Sequence, residues 1–204
     1  MIEAERKYKV RKKDVASIIA VMFKWLWPAV PLRQTDRYLT CHKGKRTNRI
    51  RRQESAKGTA RLHTKKDKCK RGPNTNRETE DSIRRRQYRR LKKKRQAYEF
   101  DLPLIVHKNR TEFRGVYKGW EVAVCIDKAE GPDGIWLGRF VELEIMVKKP
   151  RQIEAAHRIL RKLARDILPG KLKREKRGYR TILLDKIAER RKRAKKKEKR
   201  RRKK

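Results

Sequence analysis

Cysteine is scarce in this chain, and the three copies do not cooperate. Cys41, Cys69 and Cys125 lie far apart with no CxxC. That argues against a zinc site or a disulfide framework and fits a reducing, cytoplasmic setting. Histidine adds no metal motif: His42, His63, His107 and His157 form no HExxH or H-x3-H pattern. Each reads as a structural or surface residue rather than a ligand. Long apolar runs are missing too. The longest, "VASIIAVMFKWLWPAVPL" at 15–32, is interrupted by Lys24 and broken by Pro28 and Pro31, whereas a bilayer-spanning helix wants about 20 apolar residues. It follows the basic run Arg11–Lys13 as the core of a signal peptide would, but no clean small-x-small site follows it. Asp14 ahead of it reads as the N-cap of a buried helix. A membrane is not expected as a partner. Acids are also short: 24 Asp and Glu face 65 Lys and Arg, a net charge of +41. No internal repeat is visible.

What is present is cationic and periodic. The positive excess speaks to partners rather than to fold. It suits nucleic acid, polyphosphate, a nucleotide or an anionic lipid surface; the plain alternative is a solvated basic exterior. Only 36% of residues are hydrophobic, but they cluster in short periodic runs, so a folded core is expected. Alternation predicts strands at 2–10, 32–41, 47–52, 59–68, 76–81, 104–115, 120–129 and 139–147, with a turn at "GPN" (72–74). Helical spacing predicts helices at 14–27, 82–98, 151–168 and 179–187. From Arg190 onward nearly every residue is Arg or Lys, which predicts disorder or a charge-stabilised helix. The class is α+β, with one domain over 1–187 and a basic tail over 188–204.

The strands carry the chemistry. Side chains at i, i+2 and i+4 share a face. One face gathers Glu3, Glu5 and Lys7; others gather Arg49 and Arg51, Lys66, Glu78 and Glu80, Lys108 and Arg110, and Glu142 and Glu144. In the last strand the opposite face is Val141, Leu143, Ile145 and Val147, which needs burial under helices. An open sheet with its charged face in water explains the alternation, but not paired acids and paired bases in strand after strand. A sheet curled into a barrel puts them inside, where eight strands leave room for side chains or one small ligand. Two carboxylates about 5 Å apart, at an effective dielectric of about 20, repel by about 3 kcal/mol. A hard cation relieves that repulsion, and Mg²⁺ is usually held by one or two carboxylates plus substrate phosphates. Arg and Lys opposite would take the remaining phosphate oxygens.

The order of these motifs resembles the CYTH superfamily of triphosphate tunnel metalloenzymes, which includes thiamine triphosphatase, inorganic triphosphatase and class IV adenylate cyclase. Glu3-Ala-Glu5-Arg-Lys7 matches its ExExK signature. "TDRYL", "RIR", "HTKK", "RETE", "VHKNR" and "LGRFVELE" follow in the family's order, and "YRTILL" resembles its closing helix. The resemblance implies an eight-stranded antiparallel β-barrel with flanking helices, a triphosphate tunnel with a divalent metal, Mg²⁺ or Mn²⁺. It implies Glu3, Glu5, Glu142 and Glu144 around the metal. Lys7, Arg49, Arg51, Lys108 and Arg110 would hold the triphosphate. Lys66 matches the family lysine suggested to activate water through a lowered pKa; plain phosphate binding is its other reading. The chain departs from the pattern at Thr40, where a second acid is usual, at His63, and in its very basic helix 82–98 and tail.

Three functions stay open on this reading. The first is metal-dependent hydrolysis of inorganic triphosphate, a nucleoside triphosphate or thiamine triphosphate. The second is cyclisation of ATP to cyclic AMP in the same tunnel. The third is a non-catalytic module binding RNA or polyphosphate. Helix 82–98 and the tail could track a nucleic-acid backbone in any of them.

Overall fold

Alternating strands with charge on one face and apolar residues on the other can bury both faces only by closing on themselves. A computed structural model of the chain, describing residues 1–25, 27–40, 46–68, 75–170 and 172–201, has that form. Cys41, His42, Cys69 and the turn expected at 72–74 lie outside the described residues. Five strands come first: β1 (Ile2–Val10), β2 (Ala29–Tyr38), β3 (Arg46–Ser55), β4 (Gly58–Lys68) and β5 (Thr75–Ser82). A separate small hairpin of β6 (Tyr98–Glu99) and β7 (Leu102–Pro103) follows. Then come β8 (Ile105–Tyr117), β9 (Trp120–Glu130) and β10 (Trp136–Val147), with β11 (Arg174–Glu175) added late on the edge of β1. The order β10-β9-β8-β2-β3-β4-β5-β1 closes because β1 also pairs with β10. Every pairing is antiparallel. The chain is α+β, an eight-stranded antiparallel barrel with four flanking helices, as expected.

The helices are α1 (Lys12–Lys24), α2 (Arg85–Arg95), α3 (Ile153–Ile167) and α4 (Tyr179–Arg201). Helix α3 buries Ile153, Ala156, Leu160, Leu163 and Ile167 against Ala4 of β1 and Leu143 and Ile145 of β10; Ile18 and Met22 of α1 join the same core. Full burial of a Leu or Ile side chain stabilises by about 1.5–3 kcal/mol, so this stripe fixes α3 to the barrel. Ile182, Leu183 and Ile187 of α4 pack on Leu104, Val106, Leu137 and Phe140. The β3–β5 wall has thinner cover: Tyr88 of α2 meets Ile50 and Leu39.

Several boundaries differ from expectation for local reasons. Helix α1 starts earlier: Arg11 is its N-cap, and Asp14 sits at N3, where its Oδ2 accepts the Arg11 amide at 3.0 Å. Pro31 lies inside β2 instead of ending an apolar run. Residues 29–32 pair only with β8, since β3 pairing begins at Arg33; a missing N–H is tolerated at such an edge. The expected helix 82–98 is shorter, and its last residues enter the β6–β7 hairpin. The C-terminal segment is one helix that runs without a break from Tyr179 to Arg201. Among the described residues, no helix is long and apolar enough to cross a membrane.

Candidate active site

The inner faces enclose a cavity of about 1590 Å³. Glu3, Glu5, Lys7, Arg49, Arg51, Lys66, Lys108, Arg110, Glu142 and Glu144 all line it. Register explains the gathering. Glu5 stands directly opposite Glu144, Lys7 opposite Glu142, Lys66 opposite Glu78 and Arg110 opposite Asp127, and directly opposed side chains lie within contact reach.

The basic wall is organised by a residue that the sequence reading did not place in the site. Asp36, fully buried, accepts from Arg51 Nε at 2.6 Å and Arg51 Nη2 at 3.2 Å, and from Arg49 Nη1 at 3.2 Å. Lys108 Nζ stands 3.2 Å from the same carboxylate. Three cations on one acid leave this hub with an excess of two positive charges, and burial pushes the Asp36 carboxyl up far less than Arg49, Arg51 and Lys108 hold it down. Arg110 is set in the same way. It forks onto Asp127 with both contacts at 2.7 Å and also donates to Glu142. Asp127 in turn accepts from the Tyr179 hydroxyl at 2.7 Å. Tyr179 opens α4, so the C-terminal helix helps wall the tunnel. Lys7 Nζ lies 4.2 Å from the Tyr179 ring centroid, donates to the Arg177 carbonyl at 3.3 Å and pairs with Glu142 at 2.9 Å. Asp36 lies in the TDRYL motif and Tyr179 in YRTILL; Asp127 of β9 lies in no such motif, and it meets Arg110 only through the pairing of β8 with β9.

Lys66 pairs with Glu3 at 2.6 Å and Glu78 at 3.1 Å. Burial pulls its ammonium down, as does Arg49, but with Glu3, Glu78 and Glu5 all pulling the other way its pKa is raised. This is opposite in direction to the lowered value expected for a water-activating lysine. The depressed lysine is Lys108, brought down to about 8 by burial, with Arg51 and Arg110 adding to that effect against Asp36.

On the acidic wall, burial and then Glu3 push the Glu144 carboxyl up to about 8, with Glu142 and Glu5 adding to the effect. Burial raises Glu5 as well, against the pull of Lys7. Burial also works against Glu142, yet Lys7 and Arg110 hold it well below the carboxylate range. Among the described residues no three acidic, Cys or His side chains converge to enclose an ion, because lysine and arginine hold Glu3 and Glu142 to themselves. Among the described residues Glu5 and Glu144 have only long ion-pair contacts, 3.5 Å to Lys7 and 3.9 Å to Arg110. Carboxylate pairs of this kind suit a hard divalent cation. The donor set therefore fits one, with Glu5 and Glu144 as the under-neutralised pair. The described histidines are occupied elsewhere: His63 with Asn48, His107 with Thr35, His157 with Thr75.

Comparison with protein families matches the CYTH domain over residues 1–179. Comparison with curated proteins finds no match. Among solved structures, a protein of Pyrococcus horikoshii OT3 superposes with a TM-score of 0.69 at 24% identity, covering 90% of this chain and 99% of that one. A putative adenylate cyclase from Vibrio parahaemolyticus gives 0.63 at 20% identity, covering 90% and 98%. A putative adenylyl cyclase from Hippeastrum, described as revealing a dominant triphosphatase activity, gives 0.51 at 15% identity, covering 87% and 90%. At these identities the likeness is one of fold.

Proposed function

Because the chain belongs to the CYTH domain family, we propose that it is a divalent-metal-dependent phosphohydrolase that cleaves a triphosphate inside the tunnel. The observation that carries this reading is the division of one barrel cavity into a wall with surplus positive charge and a wall with under-neutralised carboxylates. A triphosphate matches the first and a metal the second.

Arg49, Arg51, Lys108, Arg110 and Lys7 would bind the phosphate oxygens. Asp36 and Asp127 hold the guanidinium groups in place beforehand, so little side-chain ordering is left for binding. Arg51 and Arg110 present forked donors suited to a phosphoryl group. A divalent cation, Mg²⁺ or Mn²⁺, would be held by Glu5 and Glu144 with Glu3 and Glu142 near, and when bound it neutralises those carboxylates and polarises a phosphoryl oxygen. The clustered cations stabilise charge that develops on the transferred group. Lys66, kept charged by Glu3 and Glu78, acts as a donor to the substrate. Weakening the Glu3 contact would leave burial and Arg49 to pull its pKa down, which is the condition for Lys66 to act on water.

Cyclisation of ATP is the second reading, supported by the putative cyclases among the structural neighbours. It requires a held base and ribose. Among the described lining residues the aromatic ones are Tyr38 and Tyr179, and Lys7 and Lys108 sit over the Tyr179 ring. That supports recognition of the triphosphate itself over a nucleobase. A pure binding module is less well supported, since the buried acids would repel a polyanion. A phosphate-release panel over tripolyphosphate, ATP, GTP and thiamine triphosphate with Mg²⁺ or Mn²⁺ tests the proposal. Release from tripolyphosphate is expected; cyclic AMP as the main product from ATP would overturn it.

A further inference from the structure

The strongest charge on the molecule lies outside the tunnel. Burial in α4 ends at Ile187, and from Glu189 to Arg201 every residue is exposed. That stretch, "ERRKRAKKKEKRR", is cationic on all sides and has no apolar face. A helix lying in a lipid interface needs such a face, and like charges one turn apart destabilise a helix, here with two acids, Glu189 and Glu198, among the cations. Helix α2, "RRQYRRLKKKR", is similarly basic, with Tyr88 its buried anchor.

The β6–β7 hairpin follows α2 directly in the chain. Its base is rigid: the Gln96 side-chain amide donates to the carbonyls of Tyr38, Ala97 and Leu104 at 3.1–3.3 Å. Its tip is Phe100-Asp101, with φ of 49° and 65°. Positive φ is unusual for a bulky aromatic residue, and such strain collects at functional positions. Phe100 is nonetheless 47% exposed and Tyr98 is 61% exposed. The guanidinium of Arg191, from the exposed half of α4, lies 3.8 Å from the Phe100 centroid. Helix α2 ends at Arg95 and the chain enters β6 at Tyr98, so α2 leads into the base of this hairpin. One cationic helix thus touches the tip, and another runs into the base, of a hairpin that bears two exposed rings.

We propose that α2, the β6–β7 hairpin and the exposed half of α4 form a binding surface for single-stranded nucleic acid, with phosphates along the helices and bases stacked on Tyr98 and Phe100. Cationic tracks with aromatic platforms are the arrangement that binds single strands with little sequence preference. The surface is separate from the tunnel and stands whether or not a triphosphate is hydrolysed there.

Fluorescence anisotropy of the full chain with labelled 15-mer oligouridine, 15-mer oligothymidine and a 15-base-pair duplex, from about 50 to 200 mM salt, tests it. Tyr98→Ala with Phe100→Leu, a pair that keeps an apolar residue at the tip, should weaken single-strand binding about tenfold or more. It should leave duplex binding and the melting temperature unchanged. Lys195→Gln with Lys196→Gln and Lys197→Gln should lower the single-strand salt slope by about 2, at about 0.7 per phosphate contact. Losses of this kind with either oligomer support the proposal, and the tighter oligomer identifies the sugar. The proposal is overturned if the wild type does not bind either strand, if the aromatic variant binds them as the wild type does, or if it loses duplex binding equally.

Discussion

Asp36 shows how a single carboxylate can hold a binding wall in readiness. It neutralises one of three buried cations and positions all of them. Asp36→Asn leaves Arg49, Arg51 and Lys108 without their shared counter-charge, and removing one partner of a buried ion pair costs about 3–5 kcal/mol. Urea unfolding should show that loss, and tripolyphosphate should restore part of it by supplying the missing negative charge. Glu144 works in the opposite sense. Its folded pKa, about 8, stands above its ordinary 4.5. The stability it contributes is complete below pH 4.5 and is lost as pH rises through 8. Glu144→Gln should therefore gain in melting temperature relative to the wild type between pH 5 and pH 8. Mg²⁺ added at pH 8 should stabilise the wild type and not the variant. Equal pH dependence in the two proteins would show that Glu144 is not the strained carboxyl.

Among the elements, the strands were legible and the helix ends were not. Glu3, Glu5 and Lys7, or Lys108 and Arg110, announce a shared face because side chains in a strand repeat every two residues. Barrel closure followed from chemistry, since so many paired charges need partners across a cavity. Pro31 misled because its effect depends on whether a neighbour needs its N–H, which only the offset between β2 and β3 decides. The hairpin after α2 was hidden inside a basic run whose charges mask the change of period at Tyr98. Asp127 and the Tyr179 contact were hidden by distance along the chain: Lys7 meets the Arg177 carbonyl 170 positions away. Close packing at element junctions gives a further expectation. A Cβ on Gly115 of β8 would stand 2.1 Å from the Trp27 indole. Gly115→Ala should destabilise by about 1–3 kcal/mol, read by thermal or urea unfolding; an unchanged midpoint would mean Trp27 does not lie on β8.

The molecule as a whole separates two kinds of positive charge. Inside the barrel, cations are paired, buried and fixed in register; on α2 and the exposed half of α4 they are solvated. Shortening the chain after Ala188 keeps every buried residue of α4 and should leave turnover of small triphosphates nearly unchanged. A collapse of turnover would place the C-terminal half of α4 within the site. The central claim is that the two tunnel walls act together on a metal-bound triphosphate. It is tested most directly by phosphate release from tripolyphosphate with Mg²⁺ or Mn²⁺, measured side by side for the wild type and Glu144→Gln. The account predicts metal-dependent release by the wild type and its loss in a variant that remains folded. Full activity in Glu144→Gln, or release by the wild type that is indifferent to the metal, would contradict it.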